Sequence, residues 1–223
     1  KLRYCLWLVD ANPSELSKIP PIMERIQKVR EYRLSSTRKA TNKLADTPML
    51  FGEIRQPNSD YIVIPEVSSE NRFYVPIDFY DKEIIASNRL KIIPNATLID
   101  FAILTSSVHM EWMRVVAGRL KSDYRYNISL VYNNFPFASL DEKDKETLTA
   151  TAQGILNARA EFSDSSLADL YNPLTMPANL RKAHEKNDQA VLKIYGIDKT
   201  ATPSGIVKEL FTRYEKLSKN TKG

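Results

Sequence analysis

Apolar and polar positions change their spacing several times along the chain, and each change predicts a different kind of element. Residues 3–9 (Arg-Tyr-Cys-Leu-Trp-Leu-Val) form a short, mostly apolar run stopped by Asn12-Pro13, which predicts a buried strand. From about 21 to 45 the spacing turns helical, with Ile22, Ile26, Val29 and Arg33-Leu34 along one side. Residues 50–104 have a different texture. Tyr61-Ile-Val-Ile64, Arg72-Phe-Tyr-Val75, Lys91-Ile-Ile93 and Thr97-Leu-Ile99 are short β-branched or aromatic runs, and Pro57-Asn58, Pro65, Pro76 and Pro94-Asn95 punctuate them. They predict an irregular antiparallel sheet. Ser106 and Ser107 then offer an N-cap to a helix that aligns Val108, Trp112, Val115 and Val116, with Gly118 suited to its C-terminal cap. A second pair of strands is expected around Leu120–Tyr132.

Beyond Asn133-Asn134-Phe135-Pro136 the pattern is helical throughout. Ser139-Leu-Asp-Glu142 has the form of a capping box ahead of a helix with Leu148, Ala152, Ile155, Leu156 and Arg159 in step. Asn172-Pro173 and Met176-Pro177 interrupt the pattern, a further helix ends near Gly196, and Thr202-Pro203 opens a last one. That last helix stacks Ile206, Val207, Leu210, Phe211, Tyr214 and Leu217 in one stripe. The expected class is therefore α+β: an irregular mixed or antiparallel sheet domain with helices, followed by a small C-terminal helical bundle. The boundary between the two is expected near 137.

Composition adds limits. With 43% hydrophobic residues among 223, the chain can bury a core. A single cysteine excludes a disulfide framework and a Cys-rich zinc module and suggests a reducing compartment. No apolar run approaches the roughly 18 residues of a membrane span. Lys1 stands where an initiator Met would, so a segment of a longer protein is expected. The net charge of +5 is modest, but residues 112–137 hold four basic side chains against one acidic. Trp112, Tyr124, Tyr126, Tyr132 and Phe135 are interleaved with them, and a basic, aromatic stretch of this kind marks nucleic-acid contact. A half-buried strand with solvated charges is the plainer reading. The basic face of the 21–45 helix, with Arg25, Lys28, Arg30 and Arg33, leaves the same choice between a solvated surface and a phosphate contact.

Catalytic signatures are scarce. No glycine-rich phosphate loop is present, and His109, His184 and Cys5 lack metal-site spacing. His109 reads as a hydrogen-bonded packing residue, and Asp141-Glu142-Lys143-Asp144 as charge complementing a helix N-terminus. Neither a catalytic residue nor a cofactor or metal ligand is assigned.

The most informative segment is Arg119-Leu-Lys121-Ser-Asp123-Tyr-Arg125-Tyr126. In an extended chain Lys121, Asp123 and Arg125 share one face, because side chains alternate. Lys donates to guanine O6 and N7, Asp accepts from cytosine N4, and Arg clamps a purine edge or a phosphate, each good contact discriminating by about 1–3 kcal/mol. The same three residues also suit a surface ion-pair ladder worth under about 1 kcal/mol.

Several phrases together resemble the MmeI-like bifunctional restriction–modification enzymes, which join an endonuclease to an adenine-specific DNA methyltransferase. They are Arg3-Tyr-Cys-Leu-Trp-Leu, Ile64-Pro-Glu-Val-Ser-Ser-Glu-Asn-Arg72, Leu104-Thr-Ser-Ser-Val-His109, Gly118-Arg-Leu-Lys-Ser-Asp-Tyr-Arg-Tyr126, Val131-Tyr-Asn-Asn-Phe-Pro136 and Ser166-Leu-Ala-Asp-Leu-Tyr-Asn-Pro-Leu-Thr-Met-Pro177. They run in the family's order over nearly the whole chain. Asn71, where Arg is common, and Ala138, where Pro is usual, are departures.

The resemblance implies a C-terminal fragment. Residues 1–45 would connect from the methyltransferase region, 46–137 would be the target recognition domain, and 138–223 the helical C-terminal domain. It implies no activity in this segment alone, S-adenosylmethionine and Mg2+ bound by the parent enzyme, and a bacterial cytoplasmic setting. The partners are double-stranded DNA and the methyltransferase and endonuclease domains of the same chain. Base reading falls on Lys121, Asp123 and Arg125, and a Lys–Asp pair implies a G where a Glu–Arg pair implies a C. Arg72, Arg89, Arg114 and Arg119 are the expected phosphate contacts. A protein–protein docking module without DNA readout is the alternative, and single-strand binding through the tyrosines is a third reading.

Overall fold

The chain folds as two units, divided between Gln56 and Pro57, in the computed structural model, which describes residues 3–220. In the first unit, Asn12 caps a short helix α1 (Pro13–Leu16) by accepting from the Ser14 N–H at 2.9 Å. Helix α2 (Pro20–Leu34) follows, and none of its residues is buried.

The single helix expected over 21–45 is broken after Leu34. The Asn42 side chain donates to the carbonyls of Arg33, Leu34 and Ser36 at 2.9–3.1 Å and so takes up the carbonyls freed at the end of α2. A short α3 (Lys39–Lys43) and a 3-10 turn (Leu44–Asp46) complete the reversal. Arg33, read from sequence as part of a basic face, donates to the carbonyls of Leu44, Thr47 and Leu50 at 2.7–2.9 Å and holds the returning loop. Nor is the run 3–9 a strand. Its described residues join no ladder, and it is held by side chains, with Leu8 buried and Trp7 packed 5.5 Å from Phe51.

The second unit is built on β1 (Tyr61–Pro65). The first four of its residues are buried, as expected of a strand covered on both faces. It lies between β3 (Asp78–Tyr80) and β4 (Leu90–Pro94), both antiparallel to it, with Ile62 opposite Phe79 and Ile93. After one residue, Glu66, the chain enters β2 (Val67–Ser68) of a second sheet. There β6 (Asp123–Arg125) lies between β2 and β5 (Gly118–Leu120), again antiparallel.

Two runs expected as strands are not strands. Thr97-Leu-Ile99 opens helix α4 (Leu98–Leu104), because Thr97 and Asp100 cap each other's backbone in a capping box. Arg72-Phe-Tyr-Val75 is a loop fixed by its side chains: the Tyr74 hydroxyl donates to Asp188 at 2.7 Å, and its ring stacks 4.1 Å from His184.

Helix α5 (Ser107–Val116) starts as expected, with the Ser106 hydroxyl accepting from the His109 N–H at 3.2 Å. It ends without Gly118, which belongs to β5, because Ala117 is already extended. The second strand pair is confined to 118–125, and Ile128–Tyr132 forms a π-helical turn. The C-terminal helices are α6 (Glu142–Ala160), α7 (Leu167–Leu170), α8 (Ala178–Ile194) and α9 (Pro203–Asn220). The cap of α6 is formed by Asp141 with Asp144, two residues beyond the Ser139 start, because a carboxylate at 141 reaches the Asp144 N–H at 2.7 Å.

These helices share one core with the sheets: Ile62, Ile64, Phe101, Trp112, Leu148, Ile155, Leu180 and Leu210 belong to a single buried cluster. Polar ties cross the same junction. Asn187 of α8 donates to the Ala102 carbonyl of α4 and accepts from Thr151 of α6, both at 2.8 Å. Arg159 of α6, buried, donates to the Ile77 carbonyl and to the Tyr171 hydroxyl at 2.8 Å and lies 3.6 Å from Asp78. Tyr171 in turn meets His184 at 2.7 Å, and burial lowers that imidazole to about 3, so it is neutral near pH 7.

Arg159→Ala is expected to cost about 3 kcal/mol in urea unfolding, because it removes a buried cation whose donors have no replacement. Asp188 gives a pH signature. Burial raises its carboxyl from 3.8 to about 6, against the hydrogen bonds from Tyr74 and from the Ser107 N–H. The native state then holds this proton at a pH where the unfolded chain has released it, so stability falls as pH rises from about 4 to 6. Asp188→Asn keeps an acceptor and removes the titration. Its stability relative to the unaltered chain should therefore be higher at pH 7 than at pH 4, measured by urea unfolding at both.

Candidate nucleic-acid interface

The segment expected to read bases is a hairpin and not one continuous strand. β5 and β6 pair Gly118 with Arg125, Arg119 with Tyr124 and Leu120 with Asp123, and Lys121-Ser122 is the two-residue link. Opposed residues point to the same side of a sheet. Gly118, Leu120, Asp123 and Arg125 therefore share one face, while Arg119 and Tyr124 share the other. Tyr124 and Tyr126 are both buried, which turns Asp123 and Arg125 outward.

Lys121 does not continue that alternation. It lies in the turn at φ 56°, exposed, ahead of the strand that holds the other two. The structure thus places Asp123 and Arg125 side by side on a paired strand and Lys121 at the hairpin tip beside them.

Their partners differ. Arg125 donates through Nε and Nη2 to Glu66 Oε1 at 3.2 and 3.0 Å, yet more than half of its side chain is exposed. Asp123 Oδ1 accepts from the Glu70 N–H at 3.4 Å. Lys121 has no ion pair among the described residues.

Glu66 organises this face, and its importance was missed in the sequence. Its backbone N–H donates to the Arg89 carbonyl, and its carbonyl accepts from the Tyr126 N–H, each at 2.8 Å. Its carboxylate, largely buried, faces Arg125 at 3.0 Å, Lys91 at 3.7 Å and Arg89 at 3.9 Å. The hydrogen bond from Arg125, with the charges of Lys91, Arg125 and Arg89, holds its carboxyl below the ordinary range against the opposing effect of burial. A lone carboxylate inside the apolar run Ile62–Val67 is the sequence signal that marks it.

The four arginines expected at phosphates divide. Arg89 is exposed at the rim of the Glu66 cluster. Arg119 lies 3.9 Å above the Tyr124 ring, donates to the Ser122 carbonyl at 2.8 Å and is 3.8 Å from Glu70, so it braces the hairpin. Arg114 pairs with Glu111 of its own helix at 3.6 Å. Arg72, in the turn after Ser69, has no ion pair among the described residues.

Four of the five aromatic residues interleaved with these charges face inward, and the fifth, Tyr132, is half-buried. Trp112, Tyr124, Tyr126 and Phe135 are at most 6% exposed, and the Trp112 indole donates to the Val131 carbonyl at 3.0 Å. They form core and offer no platform for unpaired bases. His109 is fully buried with Nε2 at 2.9 Å from the Tyr126 hydroxyl, and desolvation lowers its pKa to about 3. It packs as expected from the sequence. Among the described residues no cluster of three or more His, Cys, Asp or Glu can hold a metal ion, and no helix is long and apolar enough to cross a membrane.

Comparison with known proteins identifies the family. Residues 1–139 match the family model described as MmeI, target recognition domain, and residues 140–222 match MmeI, C-terminal domain. DNA methyltransferase A of Bacillus subtilis (strain 168) is 44% identical over 194 residues, covering 87% of this chain and 22% of that protein. The solved structure of the type IIL restriction–modification enzyme MmeI in complex with DNA superposes with a TM-score of 0.93 at 46% identity, covering 96% of this chain and 29% of that one. The chain therefore spans less than a third of the length of these relatives. On the extent of both family matches, this chain belongs to the MmeI family, as its target recognition and C-terminal domains.

Proposed function

We propose that the chain is the sequence-specific double-stranded DNA recognition module of an adenine-specific methyltransferase and restriction enzyme, and that its hairpin at 118–125 reads base edges. The observation that carries this reading is the outward pairing of Asp123 with Arg125 on a strand fixed by Glu66, with Lys121 at the tip. An acceptor and two donors are thereby held on one projecting element. Asp123 accepts from cytosine N4, Lys121 donates to the guanine of the same pair, and Arg125 uses the donors left free by Glu66 on a purine edge or a phosphate. Strands and two-stranded ribbons fit the major groove of B-DNA, which displays a distinct pattern for every base pair.

The backbone of Lys121 supports a role beyond folding. A positive φ suits glycine and is tolerated by Asn, as at Asn95, whereas lysine there carries strain of about 1–2 kcal/mol. The hairpin keeps a long cation at the one position where glycine would fold better.

In the proposed parent enzyme the catalytic domains, with S-adenosylmethionine and Mg2+, lie in parts of the protein that this chain does not include. They would be its partners in the bacterial cytoplasm and would act on an adenine turned out of the stack. Residues 1–45 would connect to the methyltransferase, 46–137 read DNA, and 138–223 support the reader.

Two outcomes test this. Lys121→Gly should raise stability by about 0.5–1 kcal/mol in thermal or urea unfolding, the relieved strain exceeding the added freedom of the unfolded chain. It should also lower selectivity among duplexes. Lys121→Glu together with Asp123→Arg should exchange G for C at one position of the motif enriched from a randomised duplex library. Retention of the original base by that double variant would remove the hairpin from the reading role.

A further inference from the structure

We infer that Arg72, Phe73 and Arg181 form a phosphate-and-sugar anchor for duplex DNA next to the reading hairpin, so that helix α8 of the C-terminal region takes part in binding. This inference rests on the DNA-reading role proposed for the hairpin.

Charge pairing singles the anchor out. Eight arginines follow Pro57. Six of them, Arg89, Arg114, Arg119, Arg125, Arg159 and Arg213, have a carboxylate within 4.0 Å. Arg72 and Arg181 have none among the described residues, and both adjoin the same exposed ring. Phe73 is 46% exposed although its neighbours Tyr74 and Val75 are buried, and the Arg181 guanidinium lies 5.2 Å from its centroid. The nearest polar contact of Arg181 is a long one, 3.5 Å to the Pro173 carbonyl.

The placement is rigid. Arg181, His184 and Asp188 occur three and then four residues apart, so they lie on one face of α8. His184 stacks on Tyr74 at 4.1 Å and Asp188 accepts from the Tyr74 hydroxyl at 2.7 Å, which clamps that face onto the loop and sets Arg181 over Phe73. The same loop reaches the reader. Arg72 donates its N–H to the Ser69 carbonyl at 3.2 Å, and Glu70, inside that turn, touches both Asp123 at 3.4 Å and Arg119 at 3.8 Å.

Two arginines free of carboxylates, one stacked on an exposed ring and the other next to it in the chain, fit a phosphodiester with its deoxyribose. Guanidinium donors match phosphate oxygens in a planar fork, and the ring covers the apolar face of the sugar. Contacts of this kind set the register of a reader on the duplex without carrying sequence information.

The test is duplex binding by the whole chain over a salt series, with unaltered protein, Arg72→Gln, Arg181→Gln, the double variant and Arg181→Lys. Each lost phosphate contact lowers the slope of log K against log salt by about 0.9, and the double variant by about 1.8. Arg181→Lys should keep the slope, and the motif enriched from a randomised library should stay the same throughout. Among the described residues the Arg72 side chain makes no hydrogen bond or ion pair, so its variant reports on binding even if Arg181→Gln lowers the melting temperature. Unchanged slopes in the double variant, with the unaltered chain still bound, overturn the anchor and leave the hairpin reading intact. A changed motif at constant slope also overturns it. Absence of duplex binding by the unaltered chain overturns the DNA reading and the anchor with it.

Discussion

Glu66 occupies the single residue between β1 and β2, and both of its backbone groups and its carboxylate are used to join the two sheets. The N–H ties it to Arg89, the carbonyl to Tyr126, and the carboxylate to Arg125, Lys91 and Arg89. A largely buried carboxylate is stable only when its charge is met, and here three cations from two other strand segments meet it. In return those cations are held in place. Arg125 could sample many rotamers on an open strand, but the Glu66 oxygen fixes one end of its guanidinium and leaves the rest exposed. Preorganisation of this kind reduces the ordering cost of binding, as the base-reading role proposed for this strand requires.

The support for this face comes from far along the chain. Helices α6 and α8 share the core of the sheets, and their polar groups, Arg159, Asn187 and Asp188, each reach backbone or side chains of the sheet region. Buried polar groups with matched partners have few alternative arrangements, so these ties select one docking of the helices. The C-terminal helices therefore act as a brace for the loop at 69–75, and through that loop for the hairpin. The proposed anchor at Phe73 and Arg181 would use the same brace at its outer end.

Much of this was legible in the sequence. The buried run at 61–64, the strand at 91–93, the Ser106 cap, the packing role of His109 and a helix ending near Gly196 all follow from local pattern, and each appears in the structure. The family phrases pointed to the MmeI family, to which the chain belongs. The false strands share a cause. Residues 3–9, 72–75 and 97–99 are apolar runs of strand-like composition. A strand requires a partner at hydrogen-bonding distance, and at these places side-chain packing or a capping box took precedence.

What the sequence determined by itself was the order of periodicities, the buried positions and the short polar phrase Lys-Ser-Asp-Tyr-Arg, because these depend on neighbours a few residues apart. Which way that phrase points depended on a turn at Lys121 and on the inward packing of Tyr124 and Tyr126. Three further matters depended on contacts spanning 50 to more than 100 positions: the partnership of Glu66 with Arg125, the hold of Asp188 on Tyr74, and the place of Arg181 above Phe73. Local pattern carries no information about such pairs. Only the tertiary structure decides them, because it is the shared core that brings distant segments within the few ångströms over which charge pairing and hydrogen bonding act.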